Sequence, residues 1–194
     1  PPWQARQPAR QRVILRAGLV QLRSGCDMAR NLADAAGLIR QAAGQGAALV
    51  ATPEMTNILE PDRPRLRGLA KVQAEDESVA DFSTLAVELG IWLNIGSLAL
   101  MGDDGTLINR SLLFDPAGTL RAYYDKIHLF DVDLPTGESL RESHAYSGGS
   151  RAVVLDAAGY RLGLTICYDV RFPGLYRHLA QAGAEVITVP SAFT

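Results

Sequence analysis

Three residues whose side chains could together transfer an acyl group each follow an apolar, strand-like segment: Glu54, Lys126 and Cys167. A cysteine becomes a strong nucleophile when its thiol loses a proton, and a neighbouring carboxylate can accept that proton as a general base. A lysine ammonium can then stabilise the negative oxygen of a tetrahedral intermediate. Since buried strands present functional groups at their carboxyl ends, we predict that these side chains converge and that Cys167 attacks a carbonyl carbon.

Each of these residues also has a simpler explanation when it is taken alone. A cysteine in an apolar strand commonly packs in the core. A lysine after a strand commonly carries a solvated charge, and a glutamate after a proline commonly begins a turn or a helix. It is the combination of the three residues that predicts a reaction.

A second arrangement would pair Cys167 with a histidine, as thiol proteases do. The candidates are His128, His144 and His178. In an extended strand His128 shares a face with Lys126, because side chains two positions apart point the same way. None of the three histidines lies in a motif typical of such enzymes, so the arrangement with a glutamate and a lysine is favoured.

The remaining sequence predicts an α/β fold in which short apolar strands alternate with amphipathic helices. Strands are predicted at 12–22, 47–54, 91–100, 106–115 and 119–130, as a hairpin over 151–169, and at 184–194. Helices are predicted after Asp27 to about Gly44, from Asp76 to Gly90, and from Pro173 to about Gly183. The segments 61–67 and 131–150 are predicted as loops, and a loop as long as the second is often functional.

The composition excludes several classes of protein. The chain has 194 residues and a formal net charge of −2, which does not favour binding to nucleic acid or to a membrane surface. No apolar run approaches the ~20 residues of a membrane span. Cys26 and Cys167 are far apart and no metal-ligand spacing is present, so we expect no disulfide framework, no metal and no cofactor.

The first residues are polar, basic and rich in proline. Residues 1–11 are predicted to be a disordered tail or the remnant of an organelle-targeting segment, and they lack the apolar stretch of a secretory signal. Residues 12–194 are predicted to form a single domain. The cytosol is the expected compartment, because the cysteine usage is not that of a secreted protein.

The motifs "TPEMTN", "YYDKIHLFD" and "ICYDVRFP" resemble those of the nitrilase superfamily of carbon–nitrogen hydrolases, in the same order along the chain. The resemblance covers 12–194 and implies an α-β-β-α four-layer sandwich. It also implies that Glu54 is the general base, Lys126 stabilises the oxyanion and Cys167 is the nucleophile. The reaction would pass through a cysteine thioester.

The same resemblance implies roles for three further residues. Glu142, in the segment "LRESHAYSGG", matches a second glutamate that many members place between the lysine and the cysteine. Tyr168 would supply the backbone N–H of the oxyanion hole. Arg171 would bind a substrate carboxylate, or alternatively form a structural ion pair with Asp169 or another acid.

The segments "DKIHLFDVDLP" and "CYDVRFP" most resemble the Nit branch of amidases, although Gly174 stands where that branch usually has a glutamate. The resemblance implies a small-molecule amide substrate that carries a carboxylate, release of ammonia, and a homodimer or higher oligomer. Deaminated glutathione or the ω-amide of a dicarboxylic keto acid is the expected substrate. An N-carbamoyl amino acid amidohydrolase or a nitrilase is the alternative.

In the family, tens of further residues normally follow the segment "PSAFT" and close the sandwich. We therefore expect a sandwich that is incomplete at its C-terminal end. A sandwich that lacks this part could be inactive, so a folded scaffold or binding protein is the alternative outside the enzymes.

Overall fold

The computed structural model describes residues 14–193, so the predicted tail at 1–11 lies outside the described residues. The α-helices are α1 (Met28–Gly44), α2 (Arg63–Leu69), α3 (Glu77–Leu89) and α4 (Pro173–Gln181). The first strands are β1 (Ala17–Leu19), β2 (Leu49–Ala51), β3 (Trp92–Met101), β4 (Leu107–Phe114) and β5 (Leu120–Asp125). The later strands are β6 (Asp131–Asp133), β7 (Ser139–Arg141), β8 (Tyr146–Ser147), β9 (Val153–Ala157), β10 (Tyr160–Leu164) and β11 (Val186–Thr188). Two 3₁₀ helices span Glu142–His144 and Cys167–Arg171.

The strands form two principal sheets. The larger sheet has the order β1-β2-β3-β4-β5, with β8 paired to the start of β4. Its first three strands are parallel, whereas β3, β4 and β5 are antiparallel, which confirms the predicted hairpin between β3 and β4. The smaller sheet has the order β11-β10-β9, and β6 pairs with β7 separately.

Alternating side chains of the larger sheet enter two different apolar cores. Val50 packs with α1 and α3 on the outer face, while its neighbour Leu49 joins the core between the two sheets. Leu113 of β4 lies in that same inner core. On the far side, Leu179 of α4 is fully buried over Gly163 of β10. This stacking of helices, two sheets and a helix confirms the predicted α-β-β-α sandwich.

The helix boundaries follow local capping signals. Asp27 caps α1, where its carboxylate accepts a hydrogen bond from the Arg30 N–H at 3.1 Å. Asp76 caps α3, which ends at Gly90 with a left-handed φ of 63°. Both predicted helices are confirmed within one or two residues. No helix within residues 14–193 is long and apolar enough to cross a bilayer.

The prediction of a loop at 61–67 is wrong, because Arg63–Leu69 forms α2. The sequence carried the signal for this helix. Asp62 caps it by accepting from the Arg65 N–H, and Pro64 occupies its first turn, where a missing N–H is harmless. Leu66 is the residue of this helix that is buried in the core.

The predicted strands are longer than the observed ones. Within the described residues, the strand predicted at 12–22 pairs only over Ala17–Leu19, and the one at 47–54 only over Leu49–Ala51. The hairpin predicted to reach 169 ends at Leu164, and the last strand covers only Val186–Thr188. Apolar, β-branched sequence favours extended backbone even where no neighbouring strand pairs with it. The predicted loop at 131–150 instead contains three short strands and a 3₁₀ helix.

A bulge in β3 holds the turn that follows β2. The register of β3 shifts between Ile95 and Leu98, and the Gly96 N–H donates to Thr52 Oγ1 at 2.9 Å. The Met55 N–H donates to Ser97 Oγ at 2.9 Å. A Cβ on Gly96 would lie 2.0 Å from the Thr52 carbonyl oxygen. Only glycine therefore allows these two segments to approach so closely.

We expect Gly96→Ala to destabilise the protein by about 3 kcal/mol, because the added methyl group would collide with backbone that cannot move away cheaply. As a matched control, Gly37→Ala in α1 is expected to add about 1 kcal/mol of stability, since an added Cβ there meets nothing within 4 Å. Urea unfolding of both variants and the parent measures these differences. A Gly96→Ala variant as stable as the parent would contradict the close packing.

Candidate active site

Glu54 lies in the turn after β2, three residues beyond the end of that strand. The next residue, Met55, has a left-handed φ of 56°, which turns the chain back under β3. The Glu54 side chain is only 6% exposed. Its Oε1 accepts hydrogen bonds from Lys126 Nζ at 2.8 Å and from Asn109 Nδ2 at 2.9 Å. Its Oε2 accepts from the Ala192 N–H at 3.0 Å.

Lys126 follows the last residue of β5 and is held in register by its N–H, which donates to the Asn109 carbonyl at 2.9 Å. Its ammonium lies 2.8 Å from Glu54 Oε1 and 2.8 Å from Glu142 Oε2. Burial by itself lowers the pKa of Lys126, but the charges of the two carboxylates and their hydrogen bonds raise it further than burial lowers it. Lys126 is therefore charged at neutral pH.

Glu142 begins the 3₁₀ helix after β7, inside the segment predicted as a long loop. Its Oε2 also accepts a hydrogen bond from the Phe130 N–H at 2.6 Å. The structure thus brings Glu54, Lys126 and Glu142 together in one cluster.

Asn109 is a member of this cluster that the sequence analysis missed. It lies within β4, is 1% exposed, and its Nδ2 donates to Glu54 Oε1 at 2.9 Å and to Glu142 Oε1 at 3.2 Å. One side-chain amide therefore fixes the spacing of both carboxylates. The sequence did indicate this role, because a polar amide stands within the apolar strand "LINRSLLF". A buried polar group of this kind needs hydrogen-bond partners.

Cys167 lies three residues beyond the end of β10 at Leu164 and begins a 3₁₀ helix, so the strand ends earlier than predicted. Its φ of 45° is left-handed, a conformation that costs a non-glycine residue about 1–2 kcal/mol. Its N–H donates to the Pro190 carbonyl at 2.8 Å. The thiol is thus presented on a strained turn between strand and helix, as at many functional sites.

The pKa of the Cys167 thiol is raised, first by burial and then by the negative charge of Glu54 and a hydrogen bond to it. Lys126 and a hydrogen bond from Ser191 lower it, but by less. Lys126 therefore favours the thiolate, but burial and Glu54 outweigh it, so Cys167 rests as a thiol.

The two predicted binding residues have different surroundings. The Tyr168 N–H belongs to the first turn of the 3₁₀ helix, where backbone N–H groups have no acceptor within the helix. The Arg171 side chain is exposed, and no ion pair to it forms among residues 14–193. The alternative pairing of Arg171 with Asp169 is not observed, because Asp169 is fully buried and bonds elsewhere.

The histidine alternative receives no support from the geometry. His128 Nδ1 lies 2.7 Å from Asp169 Oδ1, so this ring bonds a carboxylate rather than the thiol. His144 and His178 are exposed. Across the part of the chain that the structure describes, no group of three histidine, cysteine, aspartate or glutamate side chains is arranged to hold a metal ion.

We expect Glu54→Gln to lower the pKa of Cys167, because it removes a negative charge that raises this pKa and keeps the shape of the side chain. The pH at which Cys167 reacts half-maximally with iodoacetamide should therefore fall. Peptide mass spectrometry over a pH series measures it, with Cys26 as the internal reference. Glu138→Gln, at an exposed position, is the control. Identical profiles for Glu54→Gln and the parent would show that this carboxylate does not act on the thiol.

Comparison with known proteins was made by sequence and by structure. Deaminated glutathione amidase of Yersinia enterocolitica is 39% identical over 179 residues, which cover 91% of this chain and 62% of that protein. Omega-amidase NIT2 of Homo sapiens is 38% identical over 178 residues, which cover 92% of this chain and 63% of that protein. The chain thus spans less than two thirds of the length of these curated relatives.

Solved structures share the fold. The NitFhit protein of C. elegans superposes with a TM-score of 0.83 at 33% identity, covering 92% of this chain and 44% of that chain. A mutant amidase from Nesterenkonia sp. AN1, with acrylamide added to its active-site cysteine, has a TM-score of 0.79 at 27% identity and covers 93% of this chain and 68% of that chain. The family profile described as carbon-nitrogen hydrolase matches residues 16–193. The chain belongs to the carbon–nitrogen hydrolase family.

Proposed function

We propose that this protein is an amidase that hydrolyses the terminal amide of a small, carboxylate-bearing substrate through a thioester on Cys167 and releases ammonia. One observation carries this proposal. A buried ammonium, Lys126, is held between the carboxylates of Glu54 and Glu142, and Glu54 and Lys126 both act on the pKa of the Cys167 thiol. A base and a cationic donor are therefore in direct contact, and both lie close enough to the nucleophile to change its pKa.

In the first half of the reaction, Glu54 takes the proton from Cys167 Sγ, and the thiolate attacks the amide carbon. The carbonyl electron pair moves to oxygen. An ammonium has three N–H donors, and two of those of Lys126 are used by the carboxylates. The third is free to donate to this oxyanion together with the Tyr168 N–H. Collapse of the intermediate breaks the C–N bond, and the leaving nitrogen takes the proton held by Glu54.

In the second half, water attacks the thioester carbon and gives a proton to a carboxylate. Collapse of the second tetrahedral intermediate releases the carboxylic acid, and Cys167 Sγ recovers a proton. We propose that Glu142 orients this water and the departing amine, because it contacts both Lys126 and Asn109, which also bind Glu54. Its carboxylate also offsets the charge of the buried lysine.

The proposed substrate class is drawn from the relatives whose names state it, deaminated glutathione amidase and omega-amidase. Both names describe amidases, and hydrolysis of an ω-amide is the reaction of the two that releases ammonia. Arg171 is exposed four residues after Cys167 and has no acidic partner among the described residues. We propose that it binds the substrate carboxylate.

The proposal is tested by measuring ammonia release from an ω-amide of a dicarboxylic keto acid, an N-carbamoyl amino acid and a nitrile, and release of the amine-bearing fragment from deaminated glutathione. Turnover of one of the two amides, with at most slow turnover of the other compounds, supports it. Preferred turnover of the carbamoyl compound or of the nitrile would replace the amidase assignment. Binding of the amides without any turnover would indicate an inactive binding protein.

Cys167→Ala is expected to lower kcat at least ~10³-fold without unfolding the chain, because no other nucleophile is placed to form the thioester. Cys26→Ala is the matched control and should keep the parent's kcat, since Cys26 is exposed and its Sγ bonds the Leu59 carbonyl rather than a group of the Lys126 cluster. Steady-state ammonia release measures both, and circular dichroism verifies folding. Substantial turnover by folded Cys167→Ala would eliminate the thioester pathway.

Glu142→Gln is expected to reduce kcat by ~10²-fold or more, the usual contribution of a general acid or base. Hydrolysis of the thioester should slow most, so a mass increase on Cys167 should accumulate during turnover and be seen by intact mass spectrometry. Glu138→Gln, in the same segment but exposed, serves as the control. Parent-like turnover without an adduct would reduce Glu142 to a structural partner of Lys126.

A further inference from the structure

Asp169 is a fully buried carboxylate that takes no part in the proposed proton transfers. Its Oδ1 accepts a hydrogen bond from the His128 N–H at 3.0 Å and lies 2.7 Å from His128 Nδ1. Its Oδ2 accepts from the Tyr124 hydroxyl at 2.7 Å and from the Ile166 N–H at 2.9 Å.

These four hydrogen bonds connect the two segments that carry the reacting groups. Tyr124 and His128 lie two positions before and two positions after Lys126. Ile166 and Asp169 lie on either side of Cys167. One carboxylate therefore ties the segment of the oxyanion donor to the turn of the nucleophile, although these segments are far apart in sequence.

We propose that Asp169 is a positioning residue that clamps the Cys167 turn against the Lys126 segment and so fixes the position of the thiol relative to Glu54 and Lys126. The proposal deepens the proposed function and rests on it. Cys167 has a left-handed φ of 45°, which the surrounding structure must hold in place. The bond from the Ile166 N–H to Asp169 Oδ2 closes the 3₁₀ helix around that residue and opposes its relaxation.

Aromatic packing extends this clamp to the second oxyanion donor. The His128 ring stacks on Phe172, with ring centroids 3.6 Å apart and planes at 11°. Tyr168 packs edge-on against Phe172 at 5.5 Å and against Phe130 at 5.0 Å. The Tyr168 backbone N–H is thus fixed by the same group of side chains that holds His128 on Asp169.

The test compares Asp169→Asn and Tyr124→Phe with Asp76→Asn, which alters another buried carboxylate that caps α3. We expect kcat for the amide to fall ~10²-fold in folded Asp169→Asn, as for a misplacement of about 1 Å in an active site. Tyr124→Phe removes one of these four hydrogen bonds, together with the one that the Ile127 N–H donates to the hydroxyl at 3.3 Å. Its kcat should fall about tenfold, with KM nearly unchanged. Asp76→Asn should lose stability and keep kcat within about twofold of the parent.

Alkylation of Cys167 separates positioning from simple loss of stability. Glu54 and Lys126 are the charged groups that act on this thiol. A displaced Cys167 turn should therefore move the pH profile of iodoacetamide labelling in Asp169→Asn toward that of an ordinary cysteine, at lower pH. Asp76→Asn should keep the parent profile. A merely structural role would leave the profile of the folded fraction unchanged.

Each outcome either supports or overturns the positioning role of Asp169. Parent-like kcat and labelling in folded Asp169→Asn would overturn the proposal, as would a loss of kcat that matches only the unfolded fraction. If Asp169→Asn does not fold, Tyr124→Phe decides by the same two readouts, and an unchanged kcat overturns the clamp. If the parent hydrolyses no amide, the proposed function fails, and the labelling profiles still show whether Asp169 positions Cys167.

Discussion

The site depends on one interaction, the burial of the Lys126 ammonium between the carboxylates of Glu54 and Glu142. Burying one ammonium and two carboxylates is tolerated only when each charge is paired and its remaining hydrogen bonds are made. The amide of Asn109 bonds both carboxylates, and the backbone N–H groups of Phe130 and Ala192 bond one each. Removing one partner would leave an uncompensated buried charge, which typically costs about 3–5 kcal/mol.

The need to pair each buried charge of this cluster explains several local features of the fold. The bulge at Gly96 and the left-handed Met55 place Glu54 beneath the sheet. The short strands β6 and β7 return the chain so that Glu142 faces Lys126. The two carboxylates of the cluster outnumber its one ammonium, which suits the proton transfer that we propose from Cys167. The second buried carboxylate network, around Asp169, instead joins backbone and side-chain groups of two segments that are distant in sequence.

Several features of the fold and site could be predicted because their causes are local. The caps Asp27 and Asp76 depend on hydrogen bonds within a few residues, and the helices after them are where the pattern indicates. Strand lengths and the helix at Arg63–Leu69 were predicted wrongly, since pairing and burial decide them. Asn109 and Asp169 were not recognised as members of the site. The role of a single buried polar residue cannot be inferred before its hydrogen-bond partners, which are distant in sequence, are known.

The amino-acid sequence by itself determined the chemical inventory of this protein: a thiol, a base, a cation and a second acid in an order typical of one family. It also determined the alternating apolar pattern that makes two sheets and their helices pack in layers. Only the tertiary structure decided that Asn109 bridges both acids and that Asp169 joins Tyr124 and His128 to the Cys167 turn. The reason is physical. Hydrogen bonds reach about 3 Å, so partners 45 or 55 positions apart meet only after strand register and layer packing are set.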